Sequence, residues 1–163
     1  MPVEMGFSQF SDMGIFSFEY PKLKKLDAYS NLWEGLKKAC RFNIKILKRI
    51  YKKFDYVYIH LKETDAAGHD NKPLEKKAML EYIDKTLIKF LRKFAPPKKI
   101  KVVITADHST PCKLKEHSAD PVPVLFYNNS IPKEKRFSEK ECRKGSLGKI
   151  IGKDLLKKVR FVK

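Results

Sequence analysis

Two long stretches of the chain repeat their apolar residues at spacings of three and four, which predicts two amphipathic helices. The first helix is expected over residues 31–53, with Ser30 or Asn31 as its N-cap. The second is expected over residues 74–94, because Pro73 suits a first helical turn. The positions expected to be buried share the apolar stripe of these helices: Leu32, Leu36, Ala39, Ile44, Leu47, Ile50, Leu80, Ile83, Leu87, Phe90 and Leu91.

Four short apolar runs, rich in β-branched and aromatic residues, predict strands. They are residues 13–20, 57–61, 102–105 and 122–127, and a closing helix is predicted over residues 147–158, with Ser146 as its cap. Strands that alternate with helices favour an α/β fold. We therefore expect a three-layer αβα arrangement, with a mostly parallel sheet covered on both faces by helices. The sequence has neither internal repeats nor a long linker, so all 163 residues are expected to form a single domain.

The amino-acid composition indicates the class of protein and the cellular compartment in which it is found. Hydrophobic residues make up 42% of the chain and aromatic residues 12%, which is typical of a folded protein and not of a disordered one. No apolar run is long enough to span a bilayer, and the first residues do not resemble a signal peptide. Three cysteines, without a CxxC pair, indicate a reducing compartment. We expect a cytoplasmic protein that does not bind a membrane.

The formal net charge of +17 raises the question of nucleic-acid binding. The positive residues are mostly lysines, and they are spread along the whole chain at intervals that suit solvated helix faces. No zinc-finger spacing, glycine-rich RNA-binding loop or aromatic stacking pattern accompanies them. Nucleic acid is therefore not the expected partner, whereas an anionic phosphorylated substrate would benefit from the positive field.

Acid and imidazole side chains follow two of the predicted strands. Asp65 and His69 come after the second strand, four residues apart, so one helical turn puts both on the same face. Asp107 and His108 end the third strand, and His117 lies nine residues further on. Carboxylate oxygen and imidazole nitrogen together suit divalent ions such as Zn, Mn or Fe. The alternative is that Asp107 caps the next turn and that His108 is an ordinary surface residue.

The chain carries three motifs in a fixed order, TDAAGH at residues 64–69, TADH at residues 105–108 and HSADPVP at residues 117–123. Together they resemble the motifs of the cofactor-independent phosphoglycerate mutases, in particular the archaeal type, which belong to the alkaline phosphatase superfamily. In that family these elements lie near the end of a much longer chain. The resemblance covers residues 26–156. It implies an alkaline-phosphatase-like fold that is incomplete relative to the full family domain.

The resemblance also implies a two-metal site and a reaction. Asp65, His69 and His117 would hold one divalent ion, and Asp107 with His108 would form part of the site for the other. Manganese is the expected ion, with magnesium, cobalt or zinc as alternatives. The family reaction interconverts 3-phosphoglycerate and 2-phosphoglycerate, in glycolysis and gluconeogenesis, through a phosphoserine on the enzyme.

The motif that contains the family's nucleophile is not recognisable in this chain. Neither the serine that becomes phosphorylated nor the accompanying aspartate is recognisable, and Ser11, Ser17, Ser109 and Thr110 have no family support for that role. Substrate-binding residues stay unknown, apart from Lys62 as a candidate contact of a phosphate oxygen. We expect a C-terminal metal-binding part that is inactive alone and needs a separate N-terminal half.

Several alternatives stay open. The chain is a split-gene product, a truncated pseudo-enzyme or a fragment. Its function is alternatively that of a non-catalytic metal-binding or partner-binding module, or of another phosphomutase or phosphatase of the superfamily.

Overall fold

The computed structural model describes Gly6 and residues 8–22, 27–129 and 136–161. Leu26, where the family resemblance begins, lies outside these residues. The chain divides into two compact units, Met1–Asp55 and Tyr56–Lys163. No helix in the described ranges is both long and apolar enough to cross a membrane. The expectation of a single domain stays a prediction.

Helix α1, Ala28–Ile50, dominates the first unit. It begins earlier than predicted, because the Asp27 carboxylate accepts a hydrogen bond from the backbone N–H of Tyr29 at 3.1 Å. The prediction of Ser30 or Asn31 as N-cap is therefore wrong. The Ser30 hydroxyl lies 3.5 Å from the same carboxylate and supports the cap from within the first turn.

The buried face of α1 follows the predicted stripe. Leu36, Ala39, Leu47 and Ile50 are buried, as expected from their spacing. Gly35 is buried on the same face, where a Cβ would overlap the ring and hydroxyl of Tyr20. This glycine therefore lets the preceding segment approach the helix closely.

The predicted strand at residues 13–20 has no regular secondary structure and joins no ladder among the described residues. Its aromatic side chains pack against other aromatic residues of the same unit. Phe18 contacts Phe42 with ring centroids 5.3 Å apart, and Phe16 contacts Phe54 at 5.9 Å. The pattern correctly indicated residues that pack, but a strand also needs a hydrogen-bonded neighbour.

Several helices lie in the second unit, and its long helical run agrees with the prediction. Its first elements are α2 Glu63–His69, α3 Pro73–Ile83, a π-helical segment Asp84–Ile88, α4 Lys89–Phe94 and a 3₁₀ turn Pro96–Lys98. Pro73 occupies the first turn of α3, as expected.

The π segment changes which residues of this run are buried. The Thr86 hydroxyl donates to the carbonyl of Tyr82 at 2.6 Å, within a stretch whose hydrogen bonds span five residues. Leu87 is buried as predicted, but Leu80 is 52% exposed and its neighbour Met79 is fully buried instead. A regular 3.6-residue period does not continue through a π segment, so the predicted stripe is displaced.

The sheet of the described residues has two strands and is antiparallel. Strand β1, Val102–Ile104, pairs with β2, Leu125–Tyr127, so that Val102 lies opposite Tyr127. The predicted run 57–61 has no regular secondary structure and joins no ladder in the described ranges. The expected three-layer arrangement around a mostly parallel sheet is therefore not found in this part of the chain. Apolar periodicity indicates which face of a strand is buried, but not which strand lies beside it or in which direction.

Antiparallel pairing determines where the loop between the two strands lies. The carboxyl end of β1 and the amino end of β2 meet at the same end of the pair. An isolated bridge joins Ser109 to Ser118, and the backbone N–H of Ser118 donates to the carbonyl of Ser109 at 2.9 Å. Residues that follow β1 and residues that precede β2 are thereby brought together.

The C-terminal elements are shorter than predicted. They are α5 Glu139–Cys142, a 3₁₀ turn Gly152–Asp154 and α6 Leu155–Lys158. Ser138 caps α5, whereas the chain turns at Ser146, so the predicted capping role of Ser146 is wrong. Gly148 adopts a φ of 67°, which interrupts the expected closing helix and leaves only its last turn.

Candidate metal centre

Helix α2 presents Asp65 and His69 from one face, as the four-residue spacing predicts. The His69 Nε2 atom lies 3.5 Å from Asp65 Oδ2. Between them Gly68 faces the loop that follows β1, where a Cβ would lie only 2.7 Å from the carbonyl oxygen of Thr110. The glycine lets this loop pack directly on the helix that carries the two side chains.

His117 completes a group of three. Its Nε2 lies 3.2 Å from His69 Nε2 and 3.8 Å from Asp65 Oδ1, and one ligand atom from each residue lies within 4.8 Å of the other two. Two ligand atoms that are each about 2.1 Å from a tetrahedral ion are about 3.4 Å apart. The spacing of the three side chains therefore fits a single divalent ion.

The hydrogen bonds of the trio orient its nitrogen atoms. His69 Nδ1 lies 2.8 Å from the carbonyl oxygen of Lys115, which can only accept, so Nδ1 carries the proton. The lone pair of the neutral ring is then on Nε2, which faces Asp65 and His117. A carbonyl behind a ligating histidine is a frequent partner in metal sites, because it fixes the tautomer and the direction of the ring.

The trio is open to solvent, so an ion has access to it. The exposed fractions of the Asp65, His69 and His117 side chains are 38%, 40% and 53%.

Asp107 and His108 adjoin the trio without belonging to it. The His108 ring lies against the His117 ring, with centroids 3.7 Å apart and an angle of 32° between the planes. The His108 Nε2 atom is 4.0 Å from Asp107 Oδ2. The structure thus brings all five predicted residues to one surface as a trio and a neighbouring pair; whether they bind metal stays a prediction.

Two further residues adjoin helix α2: Lys62, the candidate contact of a phosphate oxygen, and Cys112. Lys62 is exposed and directly precedes α2. Cys112 is half-buried, with Sγ 3.8 Å from the carbonyl of Ala67, and all three cysteines carry free thiols. The ring of His60 lies 6.0 Å from that of Tyr58, outside the trio.

Thr110 is a member of the site that sequence reasoning did not assign. It is only 4% exposed, and its hydroxyl donates to Asp65 Oδ1 at 2.7 Å. His108 Nδ1 lies 3.1 Å from the same hydroxyl oxygen. No spacing rule distinguishes this threonine from the serine before it, because the contact with Asp65 depends on how the loop packs on α2.

Comparisons with known proteins show which family this chain resembles. The model of the metalloenzyme superfamily matches residues 34–160. A protein of Pyrococcus horikoshii named 2,3-bisphosphoglycerate-independent phosphoglycerate mutase is 42% identical over 109 residues, which are 66% of this chain and 26% of that protein. A Thermosipho melanesiensis protein named as a probable enzyme of the same kind is 32% identical over 164 residues, 93% of this chain and 40% of that protein.

A solved structure, that of the PH0037 protein from Pyrococcus horikoshii, has a TM-score of 0.65 and 37% sequence identity. It is matched over 74% of this chain and 38% of its own length. This likeness supports the alkaline-phosphatase-like fold. The chain spans about a quarter of the length of curated relatives such as those of Pyrococcus horikoshii, Pyrococcus abyssi and Methanoculleus marisnigri. Since the family model matches well over half of its residues, the chain belongs to the metalloenzyme superfamily, with the similarity expected of a partial archaeal-type cofactor-independent phosphoglycerate mutase.

Proposed function

We propose that this chain is the metal-binding component of a 2,3-bisphosphoglycerate-independent phosphoglycerate mutase, which interconverts 3-phosphoglycerate and 2-phosphoglycerate in glycolysis and gluconeogenesis. The observation that carries the proposal is the convergence of Asp65, His69 and His117, with ligand atoms within 4.8 Å of one another. A relative named as a probable enzyme of this kind matches 93% of the chain, and the metalloenzyme superfamily model matches residues 34–160, which include these three residues.

The trio holds one divalent ion in this proposal, and Asp107 with His108 contributes to the site of a second. When bound, such ions polarise the phosphoryl oxygens and hold the attacking and leaving oxygens in line. Manganese suits the mixed oxygen and nitrogen ligands, with magnesium, cobalt or zinc as substitutes.

Positive charge elsewhere in the chain favours the binding of an anionic substrate. The net charge of +17 attracts a phosphoglycerate toward the protein. Lys62, exposed directly before α2, is our candidate for contact with a phosphate oxygen. Free thiols at all three cysteines suit the reducing cytoplasm, which is the location we propose.

Activity in this proposal requires a second polypeptide segment. Asp107 and His108 are only two ligands, whereas a catalytic ion usually has three protein ligands. The phosphorylated serine is also not among the residues that we assign. A separate N-terminal half that supplies an aspartate and a serine would complete both the second ion site and the nucleophile.

A chimera tests this proposal. In the Thermosipho melanesiensis relative, the segment that matches 93% of this chain is replaced by the matching segment of this chain. We expect manganese-dependent interconversion of the two phosphoglycerates, and its loss with Asp107→Asn. An inactive but folded, metal-binding chimera would favour the alternative of a non-catalytic metal-binding module. A chain that binds no divalent ion at all would contradict both.

A further inference from the structure

The hydroxyl of Thr110 lies between the trio and the neighbouring pair. It donates to Asp65 Oδ1 at 2.7 Å, and His108 Nδ1 is 3.1 Å from its oxygen. Thr110 is 4% exposed, so water does not compete freely for these bonds. One buried side chain therefore contacts one candidate ligand of each ion position.

The number of available protons determines which atom is the donor in each of these two hydrogen bonds. A threonine hydroxyl has a single proton, and an ionised carboxylate can only accept. The proton therefore lies on the side of Asp65, and the lone pairs of Thr110 Oγ1 remain for His108. His108 Nδ1 must then be the donor of its bond, so the lone pair of the neutral ring is on Nε2. That nitrogen is the one that lies 4.0 Å from the Asp107 carboxylate.

The backbone of Thr110 is held in place from two sides. Its carbonyl accepts a hydrogen bond from Lys76 Nζ at 2.7 Å. The same carbonyl packs over Gly68, where a Cβ would come within 2.7 Å of it. The hydroxyl is thus presented to Asp65 and His108 by a loop that is anchored to α2 and α3.

We propose that Thr110 is a positioning residue that sets both ion positions at once. It fixes the Asp65 carboxylate through Oδ1, which keeps the lone pairs of Oδ2, 3.5 Å from His69 Nε2, for an ion. Through the same hydroxyl it holds His108 as the Nδ1–H tautomer, with Nε2 as the ligand nitrogen. The inference rests on the proposed metal-binding function. Second partners of this kind orient metal ligands in many sites.

The first test reads the tautomer in the metal-free chain. Long-range ¹H–¹⁵N correlation spectra distinguish Nδ1–H from Nε2–H rings, and the chain has only four histidines to assign. We expect His108 to be the Nδ1–H tautomer in the parent and in Thr110→Ser, and to lose that preference in Thr110→Val. Thr86→Val is the matched control, because the Thr86 hydroxyl donates within its own helix to Tyr82.

Two results of this test would overturn the inference. One is an Nε2–H ring at His108 in the parent, which decides the question even if Thr110→Val does not fold. The other is a Thr110→Val spectrum in which His108 keeps the parent tautomer.

The second test measures manganese affinity by equilibrium dialysis. We expect Thr110→Val to bind Mn²⁺ about 10–100-fold more weakly than the parent, with Thr110→Ser and Thr86→Val close to it. Equal binding by the parent and Thr110→Val would refute the positioning role. If the parent binds no Mn²⁺, the proposed function fails, while the tautomer spectra still decide the role of Thr110.

Discussion

Removal of one imidazole from the trio tests the metal centre directly. We predict that His69→Ala abolishes stoichiometric Mn²⁺ binding, and that His117→Ala does the same. Each substitution takes away one of the three ligand atoms that lie within 4.8 Å of one another. His60→Ala is the control, since that ring lies outside the trio.

The size of the effect follows from the number of ligands. A four-ligand zinc site contributes about 10–16 kcal/mol of binding free energy, or about 2.5–4 kcal/mol per ligand. At about 1.4 kcal/mol per tenfold change, the loss of one ligand weakens binding about 100- to 1,000-fold. The cost to folding is much smaller, because His69 is 40% exposed and gives up one hydrogen bond to Lys115, worth about 0.5–1.5 kcal/mol.

The assay is a titration of the purified chain with Mn²⁺, in which the electron paramagnetic resonance signal reports free ion. Thermal unfolding of the metal-free variants checks that each is folded. The reasoning is refuted if His69→Ala, His117→Ala and His60→Ala all bind the ion as the parent does. Weakened binding by His60→Ala alone would place the ion elsewhere.

Four further predictions concern activity, charge and packing. The purified chain alone should show no phosphoglycerate mutase turnover with any divalent metal in a coupled assay, and robust turnover would contradict the need for a second half. Binding to duplex DNA in a fluorescence titration should be weak, insensitive to sequence and steeply lost with added salt, because the lysines are spread over solvated faces. Gly68→Ala should destabilise the chain by about 1–3 kcal/mol in urea unfolding, because its Cβ would lie 2.7 Å from the Thr110 carbonyl; an unchanged midpoint would show that the loop can move away. Asp27→Ala should cost about 1 kcal/mol in the same measurement, with Asp27→Asn close to the parent, since the side chain caps α1.

Local features of this chain could be predicted from its sequence, because they depend on residues close together in the chain. The spacing of Asp65 and His69 placed both on one turn of a helix, and the structure agrees. The apolar spacing of α1 identified four of its buried residues, including Leu36 and Ile50. The order of the three motifs identified the family that the comparisons confirm.

Two local features were predicted wrongly, although both depend on residues that are close together in the chain. Asp27 caps α1 in place of the predicted Ser30 or Asn31, because its carboxylate reaches the N–H of Tyr29. The π segment at Asp84–Ile88 moved burial from Leu80 to Met79, and no composition rule indicated that break in period.

The assembly of the site was decided by tertiary structure. In the expected parallel sheet, a residue just before β2 would lie at the opposite end from a residue just after β1. Antiparallel pairing and the Ser109–Ser118 bridge instead bring His117 next to His108. The packing of the loop on α2 brings His117 close to Asp65. Side-chain periodicity is the same for either strand direction, so the sequence pattern of β1 and β2 carried no information on this choice. The types of the candidate ligands, and the helical turn that presents two of them, were therefore determined by the sequence alone. The meeting of helix and loop, and with it the proposed role of Thr110, depends on contacts between residues 45 apart in the chain.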